Sequence, residues 1–194
     1  FASPFHKDRL RWTKEYKINK IASSLLEWDM DLCKKMVDNR SQLIYCSLGK
    51  WDKDYYPFDS PNVKYLHCVA KYPHTFAEAR GLMPLKFDDT LVGYSDHTIG
   101  MNAPLIAVAR GAKIIEKHFT LDKNAGGFDD IFSMDPDEFK SLVIETNNAW
   151  LSLGKVSYSL SKDEQRHKMF KRSIFVSKDI KKNEIFTKDN LKIV

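Results

Sequence analysis

Along the chain, short apolar runs alternate with stretches whose apolar residues recur at helical spacing, and the pattern persists from the first residues to Gly154. The runs begin near Phe1, Ile18, Leu43, Val63, Leu91 and Ala112, bounded by Gly, Pro, Asn, Asp or Ser, and each reads as a strand. Between them the spacing predicts helical or loop crossovers. Arg9 to Glu15 reads as a short helix, and Asp29 to Asn39 carries Met30, Cys33, Met36 and Val37 as a core stripe. Phe76 to Phe87 reads as helix and loop. Asn102 to Gly111 is predicted helical because Pro104 suits a first turn and Gly111 a C-terminal cap. The clearest helix follows Asp135, with Pro136 at its first position, Glu138 completing a capping box and Gly154 ending it. Its residues Phe139, Leu142, Val143, Trp150 and Leu151 are expected to face the core. Strand and helix in regular alternation predict a parallel α/β fold.

From Lys155 the character changes. A serine-rich link and a charged helix, Lys162 to Lys171, precede two short apolar runs separated by a polar turn. Three segments result: an α/β domain over 1–154, a linker helix over 155–171, and the start of a small β-rich domain over 172–194.

Composition narrows the classes. A chain of 194 residues with 43% hydrophobic content can bury a substantial core. It has no apolar stretch long enough for a membrane span and no signal-peptide pattern, so the expectation is a cytoplasmic protein without a membrane partner. The net charge of +5 comes from dispersed lysines without a nucleic-acid motif, and a solvated surface explains it. Cys33, Cys46 and Cys68 lie in apolar runs without paired spacing and read as reduced core thiols.

The chemistry concentrates between Leu91 and Asp122. Here LVGYSDHTIG, a helix and GAKIIEKHFTLD form a βαβ unit with a histidine near the end of each strand. Alternate residues of a strand share a face, so Ser95 points with His97 and Glu116 with His118. Parallel strands present their carboxyl ends to one side, where ligands bind in α/β sheets and barrels. Both histidines then face one pocket, and two neutral imidazoles can hold a divalent metal with open coordination positions. The competing reading is a pair of hydrogen-bonded core histidines. His67 is expected to pack inside the barrel. The loop from Thr120 to Asp130 is rich in glycine and carboxylate, as befits an active-site loop.

These runs, GYSDHTIG, then GAKIIEKHFTLD, then Gly127-Phe-Asp129 and SMDPDEF, resemble the N-acetylneuraminate (sialic acid) synthase family in order and spacing. The resemblance implies a (β/α)8 TIM barrel of which the last six βα units are present, followed by the beginning of an antifreeze-like (SAF) domain. The chain accordingly reads as a fragment. It also implies that a divalent metal, Mn2+ or Mg2+, is held by His97 and His118, that Asp129 is catalytic with them, and that Ser3, Lys20, Ser23, Ser47, Tyr72 and Ser95 contact substrate. The implied substrates are phosphoenolpyruvate and N-acetylmannosamine or a related N-acyl amino sugar, condensed to a nonulosonic acid and phosphate. In the full-length protein the SAF domain would make a homodimer.

Three positions depart from the family pattern. Leu25 stands where a glutamate is frequent, Ala70 where a polar residue is frequent, and Asp130 where the family has histidine. The departures point to a less polar acceptor, such as a 2,4-diacetamido-6-deoxy hexose. The residues alone also serve another metal-dependent TIM-barrel lyase or hydrolase, or a non-catalytic carbohydrate-binding remnant.

Overall fold

The computed structural model describes residues 1–49, 56–79 and 86–194, which divide into two compact units, Phe1–Gly154 and Lys155–Val194. The first unit is built on a five-stranded parallel sheet. Its strands are β1 (Ile18–Ile21), β2 (Leu43–Leu48), β3 (Val63–Cys68), β4 (Leu91–Asp96) and β5 (Ile114–Lys117), hydrogen-bonded in sequence order. Sequential order with parallel pairing requires a crossover after every strand. The described crossovers include α1 (Ser23–Trp28), α2 (Met30–Asp38) and α3 (Asn102–Ala109), while residues 80–85 of the helix and loop expected before β4 lie outside the described residues. After β5, α4 (Pro136–Leu153) closes the unit. Its start is fixed by the expected capping box, with Asp135 accepting from Glu138 N–H and Glu138 accepting from Asp135 N–H.

The core lies between the sheet and α1 to α3. Leu25, Leu32, Cys33, Met36, Val37, Ile44, Tyr65 and Tyr94 are buried there, and all three cysteines are free thiols. The α2 stripe is therefore core as expected, with Met30 at its edge. The exit from α3 is a Schellman turn, in which Ala112 N–H reaches Ala107 O and Gly111 N–H reaches Val108 O, both at 2.9 Å. Gly111 has φ +104°, the left-handed conformation that this turn requires.

Three expectations need correction. Phe1–Phe5 is not a strand: Lys20 N–H donates to Ala2 O, but Ala2 N–H turns to the Asn19 side chain and Pro4 has no N–H to continue a ladder. The segment predicted from Arg9 to Glu15 is instead a 3-10 helix over Lys7–Trp12. In α4 only Leu142 is buried, while Val143, Trp150 and Leu151 are exposed. Its periodicity marked an apolar stripe without showing that one residue of it would reach the core.

The second unit contains α5 (Lys162–Arg166), a 3-10 turn over His167–Phe170, and β6 (Ile174–Val176) paired antiparallel with β7 (Leu191–Ile193). Ser161 and Glu164 form a capping box at the start of α5. Asn190, the buried residue of this unit, ties down the turn before β7 by accepting from Thr187 N–H and donating to Ile185 O.

Gly93 is where two strands meet most tightly. A Cβ there would lie 2.2 Å from Ile114 O and 2.7 Å from Ile114 Cβ, so Gly93→Ala should force β4 and β5 apart and cost at least ~2 kcal/mol. Gly100→Ala, at φ +84° in open space, should cost only about 1 kcal/mol. Urea midpoints of the two variants provide the comparison, and equal losses would contradict the close packing of these strands.

Candidate active site

The pairing of β4 with β5 sets the site. Ser95 is opposite Glu116 and Asp96 opposite Lys117 in the register, so His97 and His118, one position further on, emerge side by side. Their ring centroids are 5.2 Å apart. Tyr72 lies over His97 at 4.0 Å and edge-on to His118 at 5.8 Å, and Phe132 backs His118 at 5.1 Å. The two strand-end histidines expected to converge thus lie side by side in the fold.

Each ring has one nitrogen engaged behind it. His97 Nδ1 is 2.8 Å from Val69 O, and because a carbonyl only accepts, Nδ1 carries the proton and Nε2 keeps its lone pair. His118 Nδ1 lies 3.4 Å from Asp129 Oδ2, an acceptor as well. Burial lowers His97 to a pKa of about 4 and lowers His118 too, against a smaller opposing pull from Asp129. Both imidazoles are therefore neutral at physiological pH. A neutral ring whose other nitrogen faces a carbonyl or carboxylate is the usual posture of a metal ligand. Among the described residues no group of three or more His, Cys, Asp or Glu side chains is arranged to hold a metal. These residues fit a divalent ion only as a pair, with substrate or water oxygens completing its shell.

The other expected contacts fall into two groups. Ser23, at the start of α1, has Oγ 3.5 Å from the Tyr72 hydroxyl, and Ser95 is buried on the face that leads to His97. Ser47 is buried at the end of β2, and its Oγ has no partner among the described residues. Lys20 reaches from β1 across the whole sheet to pair with Glu116 on β5. Ser3 stands apart from them, its hydroxyl donating 3.2 Å to Lys20 O, so its visible role is to dock the N-terminal segment on β1.

Of the three departures, Leu25 is 1% exposed in the apolar core and does not border the pocket, which removes it from any argument about the acceptor. Asp130 has a local job, accepting from Gly127 N–H at 2.7 Å to close the loop before α4. Ala70 is exposed beyond the end of β3, where its Cβ would be only 2.8 Å from a Cβ on Gly49. His67 is buried and stacks on Tyr94 at 5.7 Å, as a packing residue should.

Sequence reading missed three contributors. Phe132 is one, and His74 is another: its N–H donates to His97 O at 3.2 Å, it is bridged to Thr98, and its ring lies edge-on to His97. The third is the pair Asp96 and Lys117, whose side chains are fully enclosed and 2.5 Å apart. Lys117 also donates to Thr98 O, and Asp96 accepts from Thr98 N–H and Oγ1, each at 3.0 Å. These residues flank the two histidines on the opposite strand faces, so strict alternation and the register would have paired them.

The sequence model of the NeuB family matches residues 1–158. The chain belongs to the NeuB family. This NeuB-family chain is 40% identical over 152 residues to a pseudaminic acid synthase of Campylobacter jejuni, across 77% of the chain and 43% of that protein. It is 43% identical over 134 residues to an N,N'-diacetyllegionaminic acid synthase of the same species, across 67% of the chain and 40% of that protein. The chain thus spans less than half the length of these relatives. A crystal structure of N-acetylneuraminic acid synthetase from Leptospira borgpetersenii, in complex with citrate, matches 88% of the chain and 63% of its own with a TM-score of 0.71 and 30% identity. The parallel α/β sheet described above is similar to the fold of that structure. No helix among the described residues is long and apolar enough to cross a membrane.

The enclosed pair yields a stability test. Lys117→Met should cost about 3–5 kcal/mol by leaving Asp96 buried without a counter-charge. Removing both charges in an Asp96→Leu/Lys117→Met protein should recover a coupling of about 2 kcal/mol or more in a double-mutant cycle. Additive losses would show that the two charges act independently.

Proposed function

We propose that this chain carries the catalytic face of a nonulosonic acid synthase, which condenses phosphoenolpyruvate with an N-acyl amino sugar and releases phosphate. The observation that carries the reading is the His97 and His118 pair, neutral by burial and with Nδ1 of each toward an oxygen acceptor, on the strand ends that also carry a lysine and three serine hydroxyls. The family membership and the synthase relatives support it.

In this reading Lys20 attracts the phosphate or carboxylate of phosphoenolpyruvate as a point charge, and Ser23, Ser47 and Ser95 donate to its oxygens. Ser47, buried and without a partner among the described residues, gains a hydrogen bond there. Tyr72 forms the rim against both imidazoles. His97 and His118 would hold Mn2+ or Mg2+, which would polarise the open-chain aldehyde of the sugar toward attack by the enol carbon. Water then adds at C2 of the resulting cation and loses a proton to Asp129, beside His118; a proton returns to the alkoxide at the former aldehyde oxygen, and the C2 hydroxyl collapses to the ketone as phosphate leaves with its proton. Asp129 is half exposed, as a group that exchanges protons with solvent must be.

On the same reading, the parallel strands belong to a (β/α)8 barrel, 172–194 begins a SAF domain, and the full-length protein forms a homodimer through that domain. The acceptor is a diacetamido sugar rather than N-acetylmannosamine. Support comes from Ala70, which offers no hydrogen bond at the pocket edge, and from the pseudaminic and diacetyllegionaminic acid synthases among the relatives.

Two measurements test the proposal. His97→Ala or His118→Ala should weaken Mn2+ binding more than about tenfold in calorimetry, equivalent to ~1.4 kcal/mol; unchanged affinity removes both from the metal site. In the full-length enzyme, phosphate release should need both phosphoenolpyruvate and an amino sugar. Its kcat/KM should favour a 2,4-diacetamido-6-deoxy hexose over N-acetylmannosamine by about tenfold or more. A preference for N-acetylmannosamine would overturn the acceptor assignment while leaving the reaction class standing.

A further inference from the structure

We propose that Glu116 is an internal counter-ion, which fills the anion subsite at Lys20 until an anionic group of the substrate displaces it. The inference rests on the reading of Lys20 as the residue that receives substrate phosphate or carboxylate. Lys20 and Glu116 stand on β1 and β5, the two outer strands of the sheet and 96 positions apart in the chain, yet their side chains are in contact. Only the curl of the sheet brings them together, so the pair spans the mouth of the pocket.

Three observations make the carboxylate a stand-in for a ligand. First, the lysine is the better enclosed partner, its side chain 14% exposed against 32% for Glu116, so the acid has room to move out while the ammonium stays. Second, the buried Ser47 Oγ, two residues beyond the Tyr45 that pairs with Lys20 and so on the same face of the sheet, has no partner among the described residues. One carboxylate therefore meets the charge without using the donors around it. Third, a phosphate group carries about −1.5 to −2 charge near neutral pH and three acceptor oxygens, and can meet both demands at once. Binding then becomes an exchange in which one anion replaces another and the pocket never holds an unpaired ammonium. The released carboxylate remains on the face of His118, which lies just past the end of β5.

Such an exchange lowers the affinity for anions in a way that removal of Glu116 would reveal. Inorganic phosphate is the probe, titrated into the intact chain by calorimetry, with thermal melts confirming that each variant is folded. Glu116→Gln and Glu116→Ala should each tighten phosphate binding about fivefold or more, the equivalent of ~1 kcal/mol for a partly enclosed pair. Lys20→Met should weaken it by at least as much and should abolish the gain when combined with Glu116→Gln. Asp129→Asn, which removes a nearby carboxylate that does not touch Lys20, should change phosphate affinity less than twofold, within ~0.4 kcal/mol. If Asp129→Asn tightens binding as much as Glu116→Gln, the effect is a general field and the proposal fails. If Glu116→Gln weakens binding, Glu116 only positions Lys20 and the proposal fails while the Lys20 assignment stands. Loss of any effect from Lys20→Met would overturn both.

Discussion

The enclosed contact between Asp96 and Lys117 is the constraint on which the site depends. Two charges taken out of water cost several kcal/mol each, and their attraction offsets this only with additional hydrogen bonds of good geometry. Here those bonds come from Thr98, whose N–H, hydroxyl and carbonyl all engage the pair. Because Asp96, Thr98 and Lys117 are chain neighbours of His97 and His118, the bonds that satisfy the charges also fix the strand ends carrying the imidazoles. A slip by one residue would turn every side chain of the slipped strand to the opposite face, separating Asp96 from Lys117 and His97 from His118. Gly93, tight against Ile114, holds the same two strands in the same register from below.

The electrostatics divide by face. On the helix-facing side of the strand ends a lysine and an aspartate neutralise each other and are spent on structure. On the concave side the ionisable groups are less enclosed, Lys20 with Glu116 and His118 beside Asp129, while the serines there are buried. Burial keeps both histidines neutral, which preserves their lone pairs, and it also keeps Cys68 a thiol by raising it to about 11, although Sγ is 3.9 Å from His97. The strand ends therefore carry neutral imidazoles and serine hydroxyls beside one lysine, with the nearby sulfur held as a thiol.

Much of this was legible in the sequence because a strand's two-residue period needs no tertiary knowledge. Period two placed Ser95 with His97 and Glu116 with His118, and helix-end chemistry at Pro136, Gly111 and Gly154 bounded the crossovers within a residue or two. What was not legible depended on curvature or on what covers a surface. Lys20 and Glu116 look unrelated until the sheet curls. The family pattern drew Leu25 into the acceptor argument, but α1 starts at Ser23 and turns Leu25 into the core. The apolar stripe of α4 was visible, yet periodicity does not say which of its residues find a partner, and only Leu142 is covered.

The account stands or falls on two neutral imidazoles held with Nε2 free toward one pocket. Long-range 1H–15N correlation of the histidine rings, recorded near pH 7 on the metal-free chain, reads protonation and tautomer directly. His97 and His118 should both appear as neutral rings protonated on Nδ1, with His97 remaining neutral down to about pH 5 because its pKa lies at about 4. A charged ring, or a proton on Nε2 of either residue, would contradict the arrangement from which the proposed chemistry follows.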